Sequence, residues 1–432
     1  MSRTSAAVPR RYLFVLWEGG GNVPPQLTLA RKLLQRGHRV RVLADPCIRE
    51  DAEAAGCTFV PFTRAPHRHD RTVESDIIRD WEARTPLQAF ARLRDRIMFG
   101  PALRYAEDVL EELGREAADV VAVDYTLLGA ASGAERAGVP VALMVHTVYQ
   151  FPSPGMPAPG PGFLPMGGPL GRVRDALFGR LFLRVFATGL PVLNQARAAL
   201  GLEPLRDLWQ AIEGADRALV LTSRAFDYEA AALPANVRYV GPQVEDPAWT
   251  GPWESPWPSD HPDPLVVVSL STTPQGQAGL LQRVVDALAG MPVRALVTTG
   301  PAVDPESIRA AANVVVRRSA PHARVFREAS AVVTHAGHGT VIRALAAGVP
   351  LLCLPMGRDQ PDIAARVVHR GAGVRLSPRA GVPALRKALV RVLEEPGFRE
   401  RAAAISRTIA EEVRRDDAVG ELEALASRSA AA

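Results

Sequence analysis

Short apolar, β-branched runs alternate along the chain with stretches whose apolar positions recur every three to four residues. That alternation predicts strands joined by helices. In the first half, Tyr12–Trp17, Arg39–Ala44, Val120–Asp124, Val141–Val145 and Ala218–Thr222 are the candidate buried strands. Between the first two, Leu27, Ala30, Leu33 and Leu34 repeat at helical spacing, and Gly37 in "RGH" supplies a helix C-cap. A strand–helix–strand unit of this kind implies a parallel sheet.

The alternation breaks twice. "FPSPGMPAPGPGFLPMGGPL" (151–170) is too rich in Pro and Gly for a helix or an inner strand, which leaves a loop over a pocket or a bare spacer. "GPQVEDPAWTGPWESPWPSDHPDP" (241–264) separates two regular halves and is the best domain boundary. After it come "LVVVSL" (265–270), a helix with Leu280, Leu281, Val284, Val285 and Leu288 on one face, and the strands "VRALVTT", "NVVVRR", "AVVTH" and "VPLLCLP". From Phe398 to Leu425 one stripe carries Phe398, Ala402, Ile405, Ile409 and Val413, predicting a single long amphipathic helix. The expected organisation is a domain over 1–240, a linker over 241–264, a second domain over 265–396, and a C-terminal helix over 397–432 packing back on both. Both domains are expected to be α/β and doubly wound, so that ligands bind at the carboxyl ends of the strands, in the cleft between them.

Composition narrows the classes. At 432 residues, with 47% hydrophobic and 22% charged positions, the chain has the make-up of a globular protein. Its 51 basic and 46 acidic residues leave a net charge of +5. The arginines are scattered, without a like-charge tract or a basic stripe interleaved with aromatics, which argues against nucleic acid as a partner. The three cysteines, Cys47, Cys57 and Cys353, fit neither a disulfide framework nor a zinc site. They are expected to be buried free thiols in a reducing compartment. No stretch has the length of a membrane span, and the first apolar run is too short for a secretion signal, so the expected location is cytoplasmic.

Two glycine-rich loops compete as a phosphate cradle. The first, "WEGGGNVPPQ" (17–26), lies between a strand and a helix. It lacks the G-x-G-x-x-G pattern of a dinucleotide fold, and prolines occupy the helix start. The second is "HAGHGT" (335–340), after a strand ending at Thr334. Gly337 and Gly339 there would let main-chain amides at a helix N-terminus approach an anion, Thr340 could cap the helix or bind a phosphate, and His335 could donate to a phosphate oxygen.

"HAGHGT…GVPLLCLPMGRDQ" resembles the donor-binding signature of nucleotide-sugar-dependent glycosyltransferases of the GT-B fold, family 1, in their actinobacterial macrolide/antibiotic branch. "SAPHARVF" (319–326), "VVVSLSTTPQGQ" (266–277), "VRALVTTGP" (293–301) and "LTLARKLLQRGHRV" extend the resemblance over most of the chain. It implies that His335 contacts the diphosphate, with the backbone of Gly337, His338, Gly339 and Thr340 assisting. Ser271 and Thr272 would approach the nucleotide from the other side, Ala320 to His322 would line the base pocket, and Asp359 and Gln360 would bind hydroxyls of the transferred sugar. It further implies an inverting, metal-independent transfer to an apolar small-molecule acceptor held by the N-terminal domain. A homodimer is compatible with it.

The sequence departs from that pattern twice. Arg343 stands where the family often has a Glu that takes both ribose hydroxyls of a uridine donor. Arg has donors only and cannot replace it. A deoxythymidine donor lacks the 2′-OH and loses less, so a dTDP-sugar is expected over a UDP-sugar. Second, the family's first loop reads Gly-His-x-x-Pro with His as general base, and Asn22 takes that place. Gly20 and Gly21 then suit a bulky acceptor and main-chain contact with the donor sugar. Asp124, matching the family's orienting Asp, is the first choice of replacement base; His146, ending the next strand, and Glu18, inside the loop, are alternatives. An acidic phenol, or a carbon or nitrogen nucleophile, would need the base less. The rival function is a non-catalytic, glycosyltransferase-like nucleotide-binding auxiliary protein, favoured by Asn22; an NAD-type oxidoreductase is a remote third.

Overall fold

The computed structural model describes residues 8–246, 253–258 and 260–429. Two fully parallel sheets organise them. The first contains β1 (Arg11–Val15), β2 (Arg39–Ala44), β3 (Thr58–Pro61), β4 (Val120–Asp124), β5 (Val141–Val145), β6 (Arg217–Val220) and β7 (Val237–Tyr239), in the order 3-2-1-4-5-6-7. The second contains β8 (Leu265–Ser269), β9 (Arg294–Thr298), β10 (Val314–Arg317), β11 (Ala329–Thr334), β12 (Leu351–Cys353) and β13 (Gly373–Arg375), in the order 10-9-8-11-12-13. Both orders reverse at the first strand, between β1 and β4 and between β8 and β11. Helices cover both faces of each sheet, and the central strands are accordingly buried along their whole length. β3, β7 and β13, unforeseen in the sequence, are short edge strands.

Each sheet has one apolar core on either face. In the first, Tyr12, Phe14 and Val42 face one core, while Leu13, Val15 and Leu43 face the other. β8 divides the same way, with Leu265 and Val267 on one side and Val266 and Val268 on the other.

The expected single C-terminal helix is two helices, Pro396–Arg415 and Asp417–Ser429, broken at Asp416, which adopts the left-handed conformation (φ 53°). The break redirects the chain. Ala402, Ile405 and Ile409 pack in a core of the second sheet, whereas Ala418, Val419, Leu422, Leu425 and Ala426 join Tyr12 and Phe14 beneath the first. Ion pairs fix the crossing: Lys32 with Asp416 at 3.1 Å and Arg217 with Glu421 at 2.6 Å. The Pro/Gly stretch 151–170 is loop only as far as Gly167. A helix Gly168–Ala187 begins inside it, because Pro169 falls in its first turn, where the missing N–H is not needed.

Cys57 and Cys353 are buried and Cys47 is half-buried, all three as free thiols pushed up to about 12 by burial. Among the described residues no single helix is long and apolar enough to cross a membrane. The bent pair Gly168–Ala187 and Leu190–Ala199 reaches that length and composition only together.

Candidate active site

The carboxyl ends of the two sheets face each other. The chain leaving β1 is residues 16–22, and its polar groups are spent within its own half. Gly19 N donates to Asn22 Oδ1 (3.1 Å), and Gly20 N donates to Glu18 Oε1 (2.8 Å). Glu18 N donates to Asp45. The other Glu18 oxygen pairs with Arg71 Nε at 2.8 Å, and Arg71 also binds Asp51. Glu18 is therefore a buried strut, with both carboxylate oxygens engaged. The loop is no phosphate cradle either: the amides at 18, 19 and 20 already have acceptors. Gly21 is exposed with open space around its Cα, and Gly20 (φ 88°) abuts the opposite half, where an added Cβ would lie 2.9 Å from Thr273 Cγ2.

Asp124 closes β4 and is wholly buried. Its Oδ1 accepts from Thr126 N (3.1 Å) and Thr126 Oγ1 (2.6 Å); its Oδ2 accepts from Asn22 Nδ2 (2.9 Å) and Gln26 Nε2 (2.8 Å). His146 Nδ1 lies 3.2 Å from the same Oδ2, close but poorly aligned. Burial by itself would raise this carboxyl, yet the His146 charge and the hydrogen bonds from His146, Thr126 and Asn22 outweigh it and hold the group at about 2. A carboxylate so placed has both oxygens engaged, an arrangement suited to holding its neighbours in position. Asn22, with Nδ2 also on Trp17 O (2.9 Å), is a clamp on Asp124 and on its own loop.

His146 follows β5 and keeps part of its ring in solvent. It packs on Tyr125 (centroids 5.2 Å apart), and Phe151 then links Tyr125 (6.2 Å), Tyr149 (5.4 Å) and Trp209 (6.0 Å) into an aromatic wall.

On the opposite half, β11 ends at Thr334 and the helix His338–Ala346 begins with Gly337 at its N-cap. No side chain caps it, so Thr340 is not the cap the sequence allowed for. As in any α-helix, the N–H groups of its first turn have no partner inside the helix. Ala336 bends the loop through the left-handed region (φ 67°). A Cβ on Gly337 would sit 2.5 Å from His335 Nε2, so this glycine is required for the imidazole to lie along the loop. Burial, with the Arg358 charge added, holds His335 down at about 4, and its Nδ1 is buried without a partner. A neutral ring with a spare nitrogen beside open amides is an arrangement an anionic oxygen would satisfy.

The other donor-side residues divide. Ser271 Oγ is engaged with Thr273, while Thr272 is exposed and its Oγ1 lies against Gly20. Ala320 is half-buried; His322 stacks on Phe326 (4.7 Å, 17°) and is held at about 3 by burial and the Arg343 charge. Arg343 donates to Gly339 O (3.2 Å) and Glu245 O (3.1 Å), fastening the linker to the donor helix. Gln360 is an internal brace: Oε1 accepts from Met356 N and Gly357 N, and Nε2 donates to Gln275 Oε1.

Two of the expected ligand residues have side chains that bridge the halves. Asp359 Oδ2 accepts from Thr147 Oγ1 (2.7 Å). His338 Nε2 sits 2.8 Å from Thr222 Oγ1, and burial with the nearby His146 charge lowers its ring to about 3. Thr147, Thr222 and the bridge Arg358–Asp80 (2.6 Å) went unnoticed in the sequence, where an isolated Thr or Asp carries no pattern. No group of three or more candidate metal ligands occurs among the described residues.

Two doubly wound sheets facing across such a cleft define the GT-B architecture. Residues 282–425 match the family model described as Erythromycin biosynthesis protein CIII-like, C-terminal domain. Over 405 residues the chain is 32% identical to 4'-demethylrebeccamycin synthase of Lentzea aerocolonigenes, covering 91% of this chain and 94% of that one. The solved glycosyltransferase of kitacinnamycin superposes with a TM-score of 0.76 at 22% identity, covering 97% of this chain and 99% of that one. A Streptomyces sp. SF2575 glycosyltransferase complexed with thymidine diphosphate superposes at 0.64 and 19% identity, covering 96% and 99%. The chain belongs to the antibiotic-type GT-B family 1 glycosyltransferases.

Proposed function

We propose that the protein transfers a sugar, with inversion and without a metal ion, from a dTDP-sugar to an apolar natural-product acceptor presented beside the aromatic wall. The acceptor attacks through a phenolic oxygen, a carbon or a nitrogen, and the reaction is cytoplasmic. The observation that carries this reading is the pairing, across one cleft, of an uncapped helix start and a His335 whose Nδ1 lacks a partner with the Asp124–His146 cluster.

In the transfer, the bond from the acceptor atom to the anomeric carbon forms as the bond from that carbon to the diphosphate oxygen breaks. The bonding pair leaves with dTDP, and the acceptor's proton is taken up on the opposite side. Negative charge growing on the diphosphate would be stabilised by the amides at 338–340, by the helix dipole and by His335. Ser271, Thr272, Gly20 and Gly21 would shape the sugar's surroundings, with Asp359 and Gln360 released from their present partners to meet its hydroxyls. Arg343, committed to two carbonyls, offers no acceptor for a ribose 2′-OH, which supports dTDP over UDP. The thymidine diphosphate in a related structure is in keeping with this.

The test is incubation of the purified protein with dTDP- and UDP-glucose and a panel of aromatic aglycones, with products read by mass spectrometry and anomeric configuration by NMR. A β-configured product from an α-configured dTDP donor is expected. Nucleotide binding without any donor consumption would instead establish the auxiliary-protein reading that Asn22 favours.

A further inference from the structure

We infer that His146 is the general base of this transfer, and that Asp124, clamped by Asn22 and Gln26, is the residue that positions it. The inference rests on the transferase reading above and assigns its proton. Glu18 is locked to Arg71, Asn22 does not titrate, and Asp124 has no exposed surface. His338 is bound to Thr222. His146 alone of these candidates combines a titratable ring, partial exposure and a carboxylate beside it. The Asp124 carboxylate, 3.2 Å from Nδ1, favours a proton on that nitrogen, which leaves Nε2 as the acceptor. Among the described residues nothing hydrogen-bonds to Nε2.

The substitution of the family's base is then a relocation. Asn22 Nδ2 and His146 Nδ1 touch the same oxygen, Asp124 Oδ2, at 2.9 and 3.2 Å. An imidazole has moved from one neighbour of that carboxylate to another, from the loop after β1 to the end of β5. In the reaction, Nε2 takes the acceptor's proton as the new glycosidic bond forms, and the imidazolium is stabilised by Asp124 until the proton passes to solvent. The ring is faced by Asp124 from β4, by Tyr125 from the turn after it and by His338 from the donor half, with Asp359 beyond Tyr125.

The experiment compares wild type, His146→Gln, Asn22→His and the double variant with a hydroxyl acceptor, with dTDP affinity and melting temperature measured for each. His146→Gln is expected to lose about 10²–10⁴-fold in kcat at unchanged dTDP affinity, with a pH profile of changed shape. The double variant is expected to recover at least about tenfold, since His at position 22 again meets Asp124. A His146→Gln rate within about threefold of wild type with the same pH profile would overturn the assignment. Absence of turnover in the wild type is a separate result, which removes the transferase reading and this assignment together.

A different surface carries a second proposal. Helix Gly168–Ala187 buries only Gly171 and Gly179. It exposes Leu170 (79%), Val173 (66%), Leu177 (62%) and Leu181 (53%) at helical spacing. Arg172, Arg174, Arg180 and Arg184 share the helix with one acid, Asp175, which Arg174 neutralises. A shallow groove of about 520 Å³ runs past Leu177, Leu181 and Arg184. We propose that this face docks on an anionic bilayer surface, apolar stripe inward and arginines at the headgroups. Pairing with a second copy would set two net positive faces against each other, and charge complementarity favours the lipid. The helix packs on Leu208–Glu213, which carries Trp209 of the aromatic wall, so an apolar acceptor dissolved in the bilayer would lie near its site.

Co-sedimentation with phosphatidylcholine vesicles, with and without phosphatidylglycerol, tests this. Binding is expected only to the anionic vesicles, weakened by salt. Leu177→Glu with Leu181→Glu should abolish binding at unchanged turnover of a water-soluble acceptor. Failure to bind anionic vesicles, equal binding by the double variant, or a wild-type dimer that the double variant dissociates would overturn it.

Discussion

Residues 17–22 and residues 335–340 each join the carboxyl end of a parallel strand to a helix, and each is rich in glycine. They differ in what is left unpaired. In the first, the amides at 18, 19 and 20 are consumed by Asp45, Asn22 and Glu18, and Asn22 and Glu18 are themselves held by Asp124 and Arg71. In the second, the helix start has no capping side chain and His335 Nδ1 has no partner. Glycine marks where the main chain must bend or be approached closely; unspent donors mark where an anion can bind.

Four changes would break or sharpen this contrast. Removing the imidazole, His335→Ala, is expected to lower kcat for transfer by about 10²–10³-fold and to weaken dTDP binding by calorimetry. Next, Gly337→Ala places a methyl 2.5 Å from His335 Nε2 and must turn the ring aside. A displacement of that kind should lower kcat/KM by up to about 10²-fold, with little change in melting temperature.

Acid should act on the donor half. His322, His335 and His338 are held at about 3, 4 and 3, below the ordinary value of 6.5. Between pH 6.5 and about 4 the unfolded chain therefore binds protons that the folded chain refuses. Stability is full above pH 6.5 and falls as pH drops through that window. The expected readout is a urea midpoint that declines from pH 7 to pH 4, less steeply in a His322→Gln variant. The decline is moderated because all three residues keep some solvent contact. Smallest of the four is Glu18→Gln, which should leave turnover within about threefold of wild type while lowering the melting temperature. A large loss of rate there would put chemistry back in the first loop.

Much of the fold was legible because buried parallel strands are continuous apolar runs, and β1, β4, β5, β8 and β11 announced themselves that way. β3, β7 and β13 did not: they are three or four residues long, lie at sheet edges and include Pro61 and Gly373. The break at Asp416 was invisible because Asp tolerates the left-handed conformation without a glycine or proline to mark it. At the site, glycines and family spacing pointed to the donor loop, but which residue replaces the lost histidine depends on strands β4 and β5 lying side by side. The burial of Asp124 and its four hydrogen bonds were not legible, because their donors lie about a hundred residues away at Asn22 and Gln26 or two positions on at Thr126. The tie of the His338 side chain to Thr222, 116 residues away, was equally invisible.

A crystal structure with dTDP bound tests most directly which corner takes the nucleotide. The diphosphate is expected within hydrogen-bonding distance of the amides at 338–340 and of the His335 ring, with residues 18–20 retaining their internal hydrogen bonds. A diphosphate seated on the amides of Gly19–Gly21, with the 335–340 turn unliganded, would contradict the account.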